Sequence, residues 1–578
     1  MVRLPAARRP AALAAAAGLL SLTALVVAPA AADPPADDTP AATDTGPSGA
    51  GRESGVVRTD RGRVRGRVEA GHVAYEGIPY AAPPVGERRF APPARAAAWS
   101  GVRDATTPGP VCPQAGADSE GEPIVAGDED CLHVNVTVPR DRDRAQERGR
   151  AKPVVVWVHG GGFVSGAGAE YGAAALAERG VVVVTLDHRL GPLGFLSTPA
   201  LDRPGAPSGN HGLEDQQAAL RWVRRNAAAF GGDPGNVTLA GQSAGAFSVC
   251  AHLAAPGSRG LFNRAVVQSG PCANPMVTKA EADRRGAAAT ASLGCDTAAD
   301  VAACLRAQPV AALLDLTPPG YPPTSVMRDR MWLPVVGTPV LPRQPGEALR
   351  AGSAAGVPLL IGSMRDEMRP FVGFAYDAGG RPLTAAAYEA LVTRTFGADA
   401  PAILERYPAG DFPSPALALA TLLSDWGGQL GACSTLRTAR DAARHAPVYA
   451  YELGEDSGLV VEGFPLGAYH GWDLPFLWEV KIPGAGYPEL TTAQAALSVR
   501  LVDYWATFAR TGDPNHRHAP RWDRFRSGTG SGNGDGTVLG LAAGDGGIAP
   551  VPNASDRRCD LWSGIDADAD ADADGDDR

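Results

Sequence analysis

The stretch Gly241-Gln242-Ser243-Ala244-Gly245 decides the fold, and both of its flanks are informative. Residues 236–240 form a short apolar run typical of a buried strand, and residues 246–254 form an Ala-rich run without a helix breaker. Gly-x-Ser-x-Gly between a strand and a helix is typical of a nucleophile elbow, a turn so tight that side chains at both glycine positions would clash with neighbouring backbone. The pattern predicts that Ser243 is exposed at the carboxyl end of a strand, beside the positive end of a helix dipole.

Further apolar runs on both sides of this stretch predict the sheet around it. Near-continuous runs, as expected of strands covered on both faces, occupy residues 154–158, 181–186, 264–268, 357–362 and 448–453. Residues 215–230 have helical periodicity, and residues 134–138 read as one more strand. Alternation around a turn at residues 60–62 predicts an N-terminal antiparallel hairpin. We therefore expect an α/β fold with a large, mostly parallel central sheet flanked by helices.

The ends of the chain differ in composition from its middle. Residues 1–32 combine three arginines, an apolar stretch and an Ala-Ala-Ala site, which is typical of a cleaved signal peptide and predicts a secreted protein. Residues 33–55 read as a disordered linker and residues 565–578 as an acidic, disordered tail. Residues 56–564 contain no clear linker and no further run of about 18 apolar residues, so we expect one large domain without a membrane span.

The formal charge of the chain excludes two classes of partner. It is −10 for all 578 residues, and removal of the three signal-peptide arginines makes it −10 − 3 = −13. The tail accounts for seven aspartates and one arginine, or −6. A chain with this balance is a poor binder of nucleic acid and of anionic membranes.

A second glycine-rich stretch, residues 159–163 (His-Gly-Gly-Gly-Phe), follows the strand at residues 154–158. Glycines at such a position let backbone N–H groups converge on a small space, as in the oxyanion loop of esterases. We expect Gly161 and Gly162 to donate to an oxyanion, with the N–H of Ala244 as the third donor.

An acyl-transfer site also needs a base and an acid that orients it. Folds with such an elbow place the acid and then the histidine after the serine, which leaves four of the ten histidines as candidates: His445, His470, His516 and His518. His470 is the best candidate, because it lies in a loop beyond the strand at residues 448–453, among aromatic residues that could line a pocket. Asp366 and Glu367 both follow the strand at residues 357–362, and their spacing does not decide which of them is the acid.

The motifs taken together resemble the type-B carboxylesterase/lipase family, the cholinesterase-like α/β-hydrolases, and in particular its secreted bacterial-type carboxylesterases. The resemblance extends over roughly residues 56–562 and rests on these segments: 77–81, 83–84, 89–90, 129–136, 159–163, 189–195, 210–216, 230–234, 241–245, 268–270, 366–367, 470–471 and 504–515. It implies an α/β-hydrolase fold and a secreted serine carboxylesterase that works through an acyl-enzyme. It also implies Glu367 as the acid, with Ser243 as nucleophile and His470 as base.

The eight cysteines agree with export, since an even number behind a signal peptide is typical of a disulfide framework. The family pattern implies the pairs Cys112–Cys131, Cys295–Cys304 and Cys433–Cys559. Cys250 and Cys272 remain, either as a pair or as buried thiols. No cysteine or histidine spacing indicates a metal site, and we expect no cofactor and no metal.

Three departures from the family affect the expected site. Gln242 replaces the glutamate that most members carry before the nucleophile, Met368 replaces a usual glycine after the acid, and the first disulfide loop lacks the Trp of the cholinesterases. We therefore expect neutral esters with apolar acyl groups to be preferred over choline esters, unless the aromatic residues around His470 form a substitute cage.

Two other functions remain open on the same fold: an inactive adhesion or binding member, and a true lipase. The expected partner is a small-molecule ester, with no nucleic acid and no membrane span. The oligomeric state is open, and a monomer is favoured.

Overall fold

A computed structural model describes residues 55–117, 122–140, 151–318, 320–484, 486–526 and 536–565. The predicted signal peptide lies outside these ranges, as do the predicted linker and acidic tail apart from Gly55 and Ile565. Within the ranges, no helix combines the length and the apolar character that a membrane crossing requires.

A 13-stranded sheet forms the centre of the described structure. In chain order, its strands are β1 Val56–Arg58, β2 Arg63–Val68, β3 His72–Pro79, β4 Val102–Ala105, β5 His133–Pro139, β6 Lys152–Val158, β7 Val182–Leu186, β8 Gly232–Gln242, β9 Arg264–Gln268, β10 Leu359–Met364, β11 Val448–Leu453, β12 Val538–Leu541 and β13 Ile548–Val551. The spatial order is β1-β2-β3-β5-β7-β6-β8-β9-β10-β11-β12-β13, and β4 pairs with β2 beside this path.

The sheet is parallel in its middle and antiparallel at its ends. All neighbours from β7 through β12 pair in parallel. The strands from β1 to β7 along the path pair antiparallel, and so do β12 and β13. Strand β6 is buried along its whole length, as its continuous apolar sequence predicts. The mostly parallel sheet and the N-terminal hairpin of β1 and β2 are confirmed.

Helices connect the parallel strands and pack on the sheet. They are α1 Ala174–Glu178, α2 Gly191–Phe195, α3 His211–Asn226, α4 Ala244–Ala254, α5 Lys279–Ser292, α6 Val301–Ala307, α7 Val310–Leu314, α8 Pro345–Arg350, α9 Arg369–Ala375, α10 Ala385–Phe396, α11 Ala400–Arg406, α12 Pro415–Trp426, α13 Ala432–Ala443, α14 Leu474–Leu477, α15 Thr492–Thr511 and α16 Asn553–Asp556. Helix α4 packs on β8 and β9, α13 on β10 and β11, and α15 on β6 and β8.

Two boundaries differ from the sequence prediction. Helix α3 begins at His211, four residues early, and tightens into a 3-10 turn at Ala227–Phe230. Strand β8 begins at Gly232, four residues before the apolar run at residues 236–240, and its first part is irregular, because the register against β6 shifts between Gly232 and Val237.

Four short two-stranded sheets lie in the loops of the described structure. They pair Gln114–Ala117 with Pro123–Ala126, Tyr171–Gly172 with Glu479–Val480, Val277–Thr278 with Val335–Val336, and Val460–Val461 with Phe464–Pro465.

Four disulfide bonds tie the loops and helices together: Cys112–Cys131, Cys250–Cys272, Cys295–Cys304 and Cys433–Cys559. The pair of Cys250 and Cys272, which the sequence left open, joins α4 to the loop after β9. Such a set of disulfides is typical of extracellular proteins.

The parallel strands bring the candidate residues to one edge of the sheet. Because parallel strands all end at the same edge, the segments after β6, β8, β10 and β11 meet there. These segments carry the glycine loop, Ser243, Glu367 and His470, respectively.

Candidate active site

Ser243 lies in the sharp turn between β8 and α4, with a positive φ of 56° and ψ of −123°. Its N–H donates to the Gln268 carbonyl at 2.9 Å, and its carbonyl accepts from the Phe247 N–H at 3.0 Å. A non-glycine residue at such a φ is strained and persists only where its surroundings hold it. Ser243 remains partly exposed, so its hydroxyl is presented at the sheet edge.

The two glycines of this turn leave room for close backbone contacts. A Cβ on Gly245 would lie 2.0 Å from the Val158 carbonyl oxygen, and one on Gly241 would lie 2.5 Å from the Gly245 carbonyl carbon. Neither position tolerates a side chain, because backbone atoms cannot move aside as a flexible side chain would. The close packing predicted for the elbow is present.

The glycine loop after β6 lies directly against Ser243. A Cβ on Gly160 would lie 3.3 Å from the Ser243 Cβ. Gly161 and Gly162 have positive φ values of 105° and 63°, which glycine adopts without strain. Among the described residues, no acceptor pairs with the N–H groups of Gly161, Gly162 or Ala244. Three free donors beside a serine hydroxyl can stabilise an oxyanion.

The first residue of the glycine loop, His159, stacks on His188. The rings of His159 and His188 are 4.8 Å apart and nearly parallel, and both are buried. Burial lowers the pKa of His159 to about 3 and that of His188 to about 4. Both rings are therefore neutral at ordinary pH, and neither adds a charge to the glycine loop.

Glu367 and His470 are joined by a short hydrogen bond. The His470 Nδ1 lies 2.6 Å from Glu367 Oε2, and the other carboxylate oxygen accepts from the Met364 N–H at 2.8 Å. The Glu367 side chain is fully buried, whereas His470 keeps 12% of its side chain exposed. A buried carboxylate in this position fixes the orientation of the imidazole and stabilises its protonated form.

Asp366, the alternative acid from the sequence, points elsewhere. Its Oδ2 accepts from the Ala468 N–H at 2.9 Å, and it forms ion pairs with Arg365 at 3.1 Å and Arg369 at 2.9 Å. Its own N–H donates to the Ala468 carbonyl at 2.9 Å. Asp366 thus fastens the loop that carries the histidine, while its neighbour contacts the histidine itself.

Gln242 contacts the second nitrogen of the imidazole. Its amide Nε2 lies 3.3 Å from His470 Nε2, and the Gln242 side chain is buried. When Nδ1 carries the proton and donates to Glu367, Nε2 has a free lone pair that accepts from this amide. The neutral glutamine thus holds the resting imidazole without adding a charge to the site.

A second buried carboxylate, Asp473, lies behind the histidine and was missed by the sequence analysis. Its Oδ2 accepts from Gln268 Nε2 at 2.5 Å, and Gln268 accepts from the indole N–H of Trp505 at 3.0 Å. Burial raises the pKa of Asp473 to about 6, with a further contribution from nearby Glu367. In the sequence, Asp473 is simply an aspartate three residues after His470, and no motif distinguishes it from other aspartates.

The aromatic residues near His470 in sequence do not line a pocket, contrary to the sequence interpretation. Four of them are buried in the core, namely Tyr469, Trp472, Phe476 and Trp478. Trp478 packs on Trp157 of β6 at 4.5 Å between ring centres. The exposed ring beside His470 is instead Phe371 of α9, 5.5 Å away and 36% exposed. The substitute cage for a cation is therefore not formed by those four residues.

No metal site accompanies this arrangement in the part of the chain that the structure describes, where no group of three or more His, Cys, Asp or Glu side chains could hold an ion.

Comparisons with known proteins agree with this chemistry. A family model described as "Carboxylesterase family" matches residues 53–533. A para-nitrobenzyl esterase of Bacillus subtilis (strain 168) is 34% identical over 483 residues, which cover 82% of this chain and 93% of that protein. A cocaine esterase of Oryctolagus cuniculus is 34% identical over 500 residues, covering 82% and 90%. A solved structure of a thermophilic PNB esterase superposes with a TM-score of 0.71 at 31% identity, covering 88% of this chain and 99% of that one.

Proposed function

The chain belongs to the carboxylesterase family and is a carboxylic ester hydrolase on an α/β-hydrolase fold, and from this premise we propose that it is a secreted serine esterase with a Ser243-His470-Glu367 triad. The observation that carries the proposal is the 2.6 Å bond between His470 and Glu367 at the same sheet edge as the strained Ser243 elbow. A nucleophile, a base and an orienting acid are the three groups that acyl transfer through an acyl-enzyme requires.

The reaction proceeds in two similar halves. Ser243 Oγ attacks the ester carbonyl carbon while His470 Nε2 takes the hydroxyl proton, and Glu367 stabilises the imidazolium that forms. The proton then goes to the leaving alcohol, which leaves an acyl-enzyme at Ser243. Water attacks this acyl-enzyme with His470 again as base, and the carboxylic acid is released.

The oxyanion of each tetrahedral intermediate accepts from Gly161, Gly162 and Ala244. Their N–H groups have no competing acceptor among the described residues, and a donor that is fixed before the reaction needs no reorganisation during it. Removal of one such donor costs about 2.7–4 kcal/mol of transition-state stabilisation in a serine protease.

The bond between His470 and Glu367, at the same sheet edge as Ser243, argues against an inactive binding protein. No described feature favours a true lipase over a carboxylesterase. The reaction on small, soluble esters is therefore the function that the site supports best.

Covalent labelling tests the nucleophile directly. The folded protein is treated with a fluorophosphonate, and the adduct is mapped by mass spectrometry with Ser243→Ala as the matched control. We expect one equivalent of label on Ser243 in the wild type, no label in the variant, and loss of 4-nitrophenyl ester hydrolysis in proportion to labelling. A label on another residue, or full activity in the labelled protein, would remove the proposal.

The secreted state is tested separately. We propose that residues 1–32 are cleaved on export, and the four disulfides support an oxidising destination. N-terminal sequencing of the protein from culture medium should begin at Asp33; an intact N-terminus on a protein retained in the cells would contradict export.

A further inference from the structure

Arg330 lies at the end of the glycine loop, although no motif marks it in the sequence. It follows a 3-10 turn at Met327–Asp329. Its Nη1 is 3.4 Å from the position that a Cβ on Gly162 would occupy. The guanidinium therefore borders the residue whose N–H is proposed as an oxyanion donor. Part of the Arg330 side chain remains accessible to solvent, so a bound molecule can reach it.

The charge of Arg330 has no anionic partner among the described residues. Its Nη2 donates to the amide oxygen of Gln429 at 2.7 Å, and its guanidinium lies 5.5 Å from the ring centre of Tyr321. Neither group carries a negative charge. No described carboxylate lies within ion-pair distance of Arg330, and burial lowers the pKa of the guanidinium.

Two other arginines with little solvent exposure are paired with carboxylates. Arg189 forms an ion pair with Asp215 at 2.7 Å, and Arg557 forms one with Glu452 at 2.7 Å. A guanidinium stays protonated at any ordinary pH, and withdrawing it from water is costly unless an anion compensates. Arg330 lacks such an anion in the described part of the chain, and its guanidinium borders Gly162 of the proposed reaction site.

The position of Arg330 indicates which side of a bound ester its guanidinium faces. At the near end of the glycine loop, Gly160 faces Gln242, whose amide reaches His470 Nε2. That nitrogen delivers the proton to the leaving alcohol in the proposed mechanism. Arg330 stands at the opposite end of the same loop, which leaves the acyl side for its charge.

We propose that Arg330 binds a carboxylate carried by the acyl group of the ester, so that monoesters of dicarboxylic acids are substrates of this enzyme. The proposal rests on the triad and oxyanion donors proposed above. A planar guanidinium matches a carboxylate in shape and donates two parallel hydrogen bonds to it. The sequence analysis expected a preference for apolar acyl groups. The proposal extends this to acyl groups that carry a carboxylate, because a cation lies on the acyl side.

The test compares two esters with the same leaving group and the same six-carbon acyl chain. These are 4-nitrophenyl hydrogen adipate, which carries a terminal carboxylate, and 4-nitrophenyl hexanoate, which does not. Adipate is long enough for its own carboxylate to attack the ester only slowly, and the spontaneous rate is subtracted. The measured quantity is the ratio of kcat/KM for adipate to that for hexanoate.

We expect this ratio to be about 1 or higher in the wild type, and to fall by about 10- to 100-fold in Arg330→Met, as for loss of a hydrogen bond to a charged group. In Arg330→Lys, which keeps the positive charge but not the planar guanidinium with its two parallel donors, the ratio should fall less. The matched control is Arg328→Met, which makes the same change at an exposed position in the adjacent turn and should leave the ratio unaltered.

Three results would overturn the proposal: a wild-type ratio clearly below 1, an unchanged ratio in Arg330→Met, or an equal fall in Arg328→Met. The wild-type ratio decides the matter even if Arg330→Met does not fold. Failure of the triad itself is distinguishable, because hexanoate hydrolysis would then persist in Ser243→Ala. Loss of adipate selectivity alongside Ser243-dependent hexanoate hydrolysis would overturn the anion site alone.

Discussion

Replacement of Glu367 by glutamine tests the electrostatic centre of the proposed mechanism. Both carboxylate oxygens accept hydrogen bonds, one from the Met364 N–H and the other from His470 Nδ1. An amide has only one acceptor oxygen, so in Glu367→Gln one of these contacts becomes a clash between two donors. The variant also removes the negative charge that faces the imidazolium in the transition state.

The size of the effect follows from the distance. Unit charges 2.6 Å apart attract by about 6 kcal/mol at an effective dielectric constant of about 20. That energy corresponds to a fall in kcat of about four orders of magnitude, comparable with the effect of the equivalent change in a Ser-His-Asp protease.

The assay is the steady-state hydrolysis of 4-nitrophenyl butyrate, with thermal unfolding as a check on folding. Asp366→Asn is the matched control, because it makes the same chemical change one residue earlier. Asp366 binds the Ala468 N–H and two arginines and does not touch the imidazole, so we expect a loss of less than about tenfold, mostly through stability. If Glu367→Gln retains a tenth of the wild-type kcat, or if Asp366→Asn is the more damaging change, the assignment is wrong.

Three further predictions concern stability. Removal of the Cys433–Cys559 disulfide, whose cysteines are 126 residues apart, should lower the free energy of unfolding by about 5 kcal/mol in the chain-entropy estimate; an unchanged denaturation midpoint would contradict this. Burial raises the pKa of Asp187 to about 7, so the folded wild type holds a proton that the unfolded chain has lost, and its stability falls as pH rises from about 4 to about 7, by up to about 1.4 kcal/mol per pH unit. The free energy of unfolding of Asp187→Asn should therefore equal that of the wild type near pH 4 and exceed it at pH 8. If denaturant titrations show the two free energies falling in parallel as pH rises, the prediction is wrong. Gly245→Ala places a Cβ 2.0 Å from the Val158 carbonyl oxygen and should cost more than about 4 kcal/mol, which wild-type thermal stability of the variant would disprove.

The sequence predicted those parts of the site that depend on local backbone geometry. The elbow at Ser243 and the glycine loop each need glycines at fixed positions beside a buried strand, and both requirements are visible in a few consecutive residues. The parallel sheet then brings these segments to one edge, since its strands share a direction.

The choice between Asp366 and Glu367 depended on tertiary structure. The two residues are adjacent, so their spacing from the strand is almost the same, yet the chain turns between them. One side chain consequently points to Arg365 and Arg369 and the other to His470. Only the family resemblance favoured Glu367, and its role in catalysis stays a prediction until it is measured.

The aromatic residues around His470 show a different limit of sequence reasoning. A run of aromatics near a catalytic loop has the same composition whether it lines a pocket or fills a core. Here Trp472 is completely buried, and Trp478 packs against Trp157 in the sheet. The exposed ring, Phe371, comes from α9, a separate helix that no sequence pattern places beside His470.

The charges near the proposed site differ from those of the whole chain, which attract cations. The chain carries a net charge of −10, but exposed charges beyond about 8–10 Å are screened at ordinary salt. Beside His470, the position before the nucleophile is the neutral Gln242, and beside Gly162 stands the unpaired guanidinium of Arg330. A choline ester carries its cation on the alcohol side, where it would meet the neutral Gln242 and not a carboxylate, whereas an acyl carboxylate would meet the guanidinium of Arg330 on the acyl side. The net charge of the chain therefore does not by itself predict which esters are bound.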